Sequence, residues 1–196
     1  MDELMAARSL PTRPAVTLAG DAVAHIREAV FDGRAERIAG FTLSGLGLLS
    51  GSLEHGLPWS AVHSLGHDAV MIGDLRQLVR PDVVAAYGGP LRGRIVGARV
   101  RTHDGDEVGT VLDVIVAGGT SGRVVGFRVA VRGQRLFAAL SGHRRRAVYL
   151  PRGGAVAMSG RTLLVESGVR RFTADDLASF AVRVAAFHQS RKDSPS

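Results

Sequence analysis

The chain has 196 residues, no cysteine and a formal charge of +7. A disulfide framework and thiolate metal sites are thereby excluded, and no run of about 18 apolar residues offers a membrane-spanning helix. Hydrophobic residues make up 45% and aromatics only 5%, so Val, Ala, Leu and Ile must fill the core.

Lys192 is the sole lysine, so the positive charge is almost all arginine, as a GC-rich genome would also produce. Such charge draws a protein toward RNA, an anionic membrane or an acidic protein face, and does not choose among them. The opening MDELMAARSL carries acids early and no long apolar stretch, unlike a secretory signal, so the expected location is the cytoplasm.

Residues 1–13 read as a leader of mixed character. Ala15 to Leu18 is a short strand candidate, and Ala19-Gly20-Asp21 is a turn. Val23 to Phe31 suits a strand or a helix by pattern alone. A second stretch decides for strand: Glu107 to Val116, EVGTVLDVIV, is rich in β-branched residues and falls on the first when Gly20-Asp21 is laid on Gly105-Asp106. The match continues. Val30-Phe31 meets Ile115-Val116, Arg37 meets Arg123, and Gly40-Phe41 meets Gly126-Phe127. Further on, Leu57-Pro58 meets Leu150-Pro151, and Ala69 to Ile72 meets Thr162 to Val165. Arg37 to Leu43 and Arg123 to Val131 read as return strands, and the glycine before each Phe suggests a bulge or a barrel corner.

One unit said twice predicts two small domains of about 75 residues, near the lower limit for an independent core. That size calls for a shared interface or a helix that adds burial. The predicted organisation is a leader at 1–13, unit one at 14–73, a linker at 74–90 with a helical turn at Pro81 to Tyr87, and unit two at 91–168. A C-terminal helix follows at 169–192, then a disordered tail at 193–196. Thr173 is its expected N-cap with Asp176 three residues on, and Leu177, Phe180, Ala181, Val184 and Phe187 form its apolar stripe. Arg191 and Lys192 suit the C-terminal end of its dipole.

The segment from Thr102 through Gly105-Asp106-Glu107-Val108-Gly109-Thr110-Val111 to Val125-Gly126-Phe127 resembles the PRC-barrel family, which includes the cytoplasmic domain of the photosynthetic reaction-centre H subunit and the C-terminal domain of the ribosome maturation factor RimM. Leu57-Pro58-Trp59-Ser60-Ala61-Val62 is similar to the family's late turn. The resemblance covers roughly 14–72 and 91–167 and is better in the second copy; the first departs at Ala19 and Ala24-His25. It implies an all-β fold of two small PRC-like β-barrels in tandem with a C-terminal α-helix, and an adaptor role without a shared catalytic residue or cofactor.

Residues that carry chemistry elsewhere have simpler readings here. Gly118-Gly119-Thr120-Ser121-Gly122 precedes a strand, whereas a phosphate cradle needs a helix N-terminus, so it reads as a hairpin turn. His63, His67 and Asp68 fall on strand and turn with no third ligand nearby, and read as exposed residues. Asp104, Asp106, Glu107 and Asp113 cluster in sequence; alternation puts Glu107 and Asp113 on one face, read as solvated. His143-Arg144-Arg145-Arg146 is the sharpest charge feature, and with Arg132, Arg135 and Arg152 it makes a candidate basic patch. Trp59 is the remaining candidate, a core residue at a barrel end or a binding hot spot.

The expectation is therefore a non-enzymatic cytoplasmic adaptor that binds a protein partner. The alternatives are an RNA- or ribosome-associated factor using residues 143–146, and an accessory of a membrane electron-transfer complex with peripheral membrane contact.

Overall fold

The structure is a computed structural model and describes residues 3–32, 36–45, 55–88, 95–132, 147–159, 161–168 and 173–192. The chain divides into two compact units. The first comprises Met1–Arg92 with Val116–Val124; the second comprises Gly93–Ile115 with Val125–Ser196.

In the first unit, β1 (Leu4–Ala6) is followed by β2 (Pro14–Thr17), β3 (Ala22–Asp32), β4 (Arg37–Ser44), β5 (Gly56–Pro58), β6 (Val62–Leu65) and β7 (Val70–Ile72). Six of these form one sheet in the order β5-β4-β3-β2-β7-β6. The second unit has β8 (Arg99–Thr102), β9 (Glu107–Ala117), β10 (Val124–Val131), β11 (Ala147–Pro151), β12 (Ala155–Ser159) and β13 (Thr162–Val165). Its sheet runs β11-β10-β9-β8-β13-β12, the same path element for element. Each sheet has one parallel pair at the same place, β2 with β7 and β8 with β13. Among the described residues the protein is all-β apart from short turns and two helices.

The correspondence extends to single residues. Gly40 faces Pro58 and Phe41 faces Leu57; Gly126 faces Pro151 and Phe127 faces Leu150. Ala15 faces Val70 as Val100 faces Leu163. The turn after the first strand is built from the same bonds twice. Asp21 N–H donates to Thr17 Oγ1 at 3.2 Å and Gly20 N–H to Thr17 O at 2.9 Å. Asp106 N–H donates to Thr102 Oγ1 at 3.1 Å and Gly105 N–H to Thr102 O at 2.9 Å. Gly20 and Gly105 sit at φ 96° and 89°, a region a side chain rarely adopts. A threonine hydroxyl that accepts from the backbone four residues on and a left-handed glycine together dictate this turn.

Inside each sheet the small aromatic content is offset by β-branched packing. Ile26, Val30, Ile38, Phe41, Leu57, Val70 and Ile72 are fully buried in the first unit. Val100, Val111, Ile115, Val129, Leu150 and Val165 do the same in the second.

Each unit also carries a helix on its sheet. α1 (Pro81–Tyr87) opens with proline at its first position, where the missing N–H costs nothing. Its Val84 is fully buried. α2 (Leu177–Lys192) buries Phe180 and Val184, with Leu177 and Ala181 half-buried beside them, so the expected stripe is docked. Phe187, Arg191 and Lys192 lie on its last turns, outside the described side chains. The repeated glycines receive the helices. A side-chain carbon on Gly40 would come within 2.4 Å of Leu57 O and 2.8 Å of a Val84 methyl; on Gly126 it would come within 2.4 Å of both Leu150 O and Phe180 Cζ. Glycine is needed here because a helix lies on the strand, and at Gly40 the expected bulge is also present, since Val30 faces Gly40 but Phe31 faces Ile38.

The helical turn expected at Pro81 to Tyr87 within the 74–90 segment is α1, which packs Val84 on the first unit's sheet. Among the described residues of the leader, Met5 and Leu10 are buried. Arg13 is buried as well and ties this segment down. Its guanidinium donates to Gly66 O at 2.7 Å, Ser9 O at 3.0 Å, Ser9 Oγ at 2.8 Å and Met5 Sδ at 3.3 Å. Burial lowers its pKa, partly offset by Glu3 and Asp68. The N-cap of α2 is Asp176, whose carboxylate accepts from Ser179 N–H and Oγ–H, both at 2.8 Å. Thr173 does not cap because the helix begins only at Leu177, and the residue after it, Ala174, exchanges two backbone bonds with Tyr149 of β11. The tail at 193–196 lies outside the described residues.

Candidate functional site

β8 alternates cleanly: Arg99 and Arg101 are exposed, Val100 and Thr102 buried. The same period in β10 leaves Arg128 exposed between buried Phe127 and Val129. Arg132, just past the strand, is exposed in the same outward row. β9 lies between these two strands. Arg99 pairs with Thr110 and Arg101 with Glu107. On the other side, Ala117 N–H donates to Arg123 O and Arg132 N–H to Val108 O, a register that sets Leu112 across from Arg128. Beyond β8, Arg101 is paired with Leu164 and Arg99 with Thr162 of β13. Exposed Arg161 is bonded through its carbonyl to Arg99 N–H at 2.8 Å.

The outer face of the second sheet thus holds Arg99, Arg101, Arg128, Arg132 and Arg161, with half-buried Leu112 on β9 and Leu164 beside Arg101 on β13. None of these guanidiniums makes an ion pair among the described residues. Glu107 stands between Arg101 and Arg132, and the exposed turn acids Asp104 and Asp106 border that end. α2 bounds the other side: Phe180 covers Gly126 and its ring packs on Tyr149, centroids 5.6 Å apart.

The corresponding positions of the first sheet are Pro14 and Val16 on β2 and Thr42 on β4, none of them charged. The basic face belongs to the second unit alone.

Of the predicted basic patch, the two described arginines, Arg132 and Arg152, lie apart. Arg132 follows the end of β10, whereas Arg152 follows β11 beside the start of β10, since Gly126 pairs with Pro151. An antiparallel pair puts them at opposite ends, about 20 Å apart along the strands. Arg152 is half-buried, and burial lowers its pKa. Arg135 and His143-Arg144-Arg145-Arg146 lie outside the described residues.

Trp59 is a packing residue of the first unit and only 7% exposed. Its ring lies 6.2 Å from that of Phe41 and under the Arg37 guanidinium at 5.6 Å. The Gly122 backbone closes on it so tightly that a side-chain carbon there would lie 2.5 Å from the indole. As a hot spot it has no free surface to offer.

The acidic pair is separated as well. Val100 faces Gly109 but Arg101 faces Glu107, so a bulge falls at Val108 and shifts the alternation. Glu107 is exposed while Asp113 is buried, its carboxylate accepting from Val114 N–H at 2.8 Å. His63 is exposed, and His67 and Asp68 form an exposed pair at 2.9 Å. The Gly118–Gly122 stretch is a turn between β9 and β10.

A six-strand path with one parallel pair at its fourth step, repeated in both units, defines a class of small β modules. Residues 92–178 match the PRC-barrel domain family, so a PRC-barrel domain occupies the second half of the chain. No curated protein matches the chain.

Proposed function

We propose that the chain is a non-enzymatic adaptor, two copies of one PRC-like β module that hold a protein partner on exposed sheet surface. The first unit's shared strand order and repeated Thr-Gly-Asp turn support reading it as a diverged copy of the domain matched at 92–178. PRC-barrel domains often mediate protein interactions. The observation that carries the reading is the second unit's outer face, where arginines that make no ion pair among the described residues stand on paired strands. The paired strands fix the backbone spacing of these groups before binding, so a partner meets a preset charge pattern and only side-chain freedom is lost on contact.

The test is affinity capture of the tagged full chain from its native cells, at low and high salt, with and without nuclease. A protein recovered in comparable amount after nuclease treatment supports the adaptor. Recovery that disappears with nuclease favours the RNA-associated reading and overturns it. Recovery only with membranes that contain an electron-transfer complex points to the accessory role instead.

A further inference from the structure

The outer face of the second sheet has a chemistry as well as a charge. Arg99 and Arg101 are two residues apart on β8, about 6.6 Å, and β10 lies two strands over, about 9.6 Å. At physiological salt the Debye length is about 8 Å, so the fields of Arg99 and Arg101 overlap, and Arg128 extends the row beyond that range. Apolar side chains fill the gaps: Leu164 is paired with Arg101, and Leu112 lies across from Arg128. Guanidinium forks suit carboxylates in bidentate contact, and leucine suits apolar side chains.

RNA would want something else. Single strands bind by stacking bases on free aromatic rings beside the charges. Among the described residues the ring next to this row is Tyr149, which faces Arg128 and is already packed on Phe180. The half-buried Leu112 and Leu164 offer nothing to phosphate.

We propose that this face, Arg99, Arg101 and Arg128 with Leu112 on the strand between them and Leu164 beside Arg101, docks an acidic segment of a partner protein whose carboxylates alternate with apolar side chains. The proposal rests on the adaptor reading and names its surface. Glu107 and the turn acids Asp104 and Asp106 repel carboxylates at one border, so the segment lies toward Arg128 and Arg99.

The experiment uses the full chain and labelled peptides that alternate glutamate with leucine or glutamate with serine, against polyuridylate of matched charge. Fluorescence anisotropy reads the binding. The glutamate–leucine peptide is expected to bind tightest, and the Arg99→Gln/Arg101→Gln/Arg128→Gln variant to weaken it by about tenfold. A control variant in the first unit, Arg27→Gln/Arg76→Gln/Arg80→Gln, removes the same formal charge and should change affinity by no more than about twofold. Unchanged thermal melting checks that each variant is folded. Equal losses in the two variants, no loss in the first, or tighter binding of polyuridylate would overturn the proposal. A native partner captured equally by wild type and the sheet-face variant would remove this face and leave the adaptor reading standing.

Discussion

Trp59 and Arg152 occupy one position in the two units: each follows a Leu-Pro that pairs with a Gly-Phe across the ladder. In the first unit the site is filled by a buried indole; in the second, a half-buried guanidinium stands there. Outer positions diverge in the same way, with Pro14, Val16 and Thr42 where the second unit has Arg99, Arg101 and Arg128. What stays the same is the set of features the backbone needs: the Thr-Gly-Asp turn, the side-chain-free seat at Gly40 and Gly126, and the apolar inner row. A small β frame specifies its own path with few residues, so the remaining positions are free to make two different surfaces.

That comparison is most sharply broken at the unequal pair. Trp59→Ala should cost about 3–5 kcal/mol, because a large buried ring leaves a cavity that the Gly122 backbone cannot fill. Arg152→Ala should cost about 1 kcal/mol. Thermal or urea unfolding followed by circular dichroism measures both, and equal losses would mean that the two positions are not distinct in packing.

The equal pairs should behave alike. Gly40→Ala and Gly126→Ala each place a methyl against a backbone carbonyl 2.4 Å away, and each should lose about 1–3 kcal/mol. A loss in one unit only would show that its helix is not seated on the strand. Smaller still, Thr17→Val and Thr102→Val each remove one turn acceptor and should cost about 1 kcal/mol. Hydrogen exchange at Asp21 and Asp106 localises the effect.

The smallest effect belongs to the second unit alone. The Ser179 backbone N–H, and next its hydroxyl, hold the Asp176 carboxyl below its usual pKa. A depressed folded value means the capping contribution is fully present above the unfolded carboxylate pKa of about 3.9 and is lost as pH falls through the lower folded value. Helicity of α2 should therefore fall in that acidic window, and Asp176→Asn should flatten the dependence. An unchanged acid profile in Asp176→Asn would remove Asp176 as the cause.

Much of the frame was legible beforehand. Alternation marked β3, β4, β9 and β10, and the internal match at Gly20, Gly40, Leu57 and Val70 carried over to the observed register. The site was less legible. Arg99 and Arg101 sit in an R-V-R-T alternation that marks one outward face, but nothing along the chain shows that Arg128 lies two strands away from them. Asp113 was misplaced because one extra residue at Val108 shifts the alternation before it, and a bulge has no signature in a β-branched run. Arg132 and Arg152 were grouped by proximity in sequence, which an antiparallel pair turns into separation.

By itself the amino-acid order determined that one glycine-punctuated β unit occurs twice, because side-chain period, turn residues and self-similarity are local properties. Tertiary structure alone decided why Gly40 and Gly126 lack side chains, which of Trp59 and Arg152 is buried, and which arginines stand together on one face. Those outcomes depend on strand register and on what packs from outside, and register is set by contacts between residues far apart in the chain.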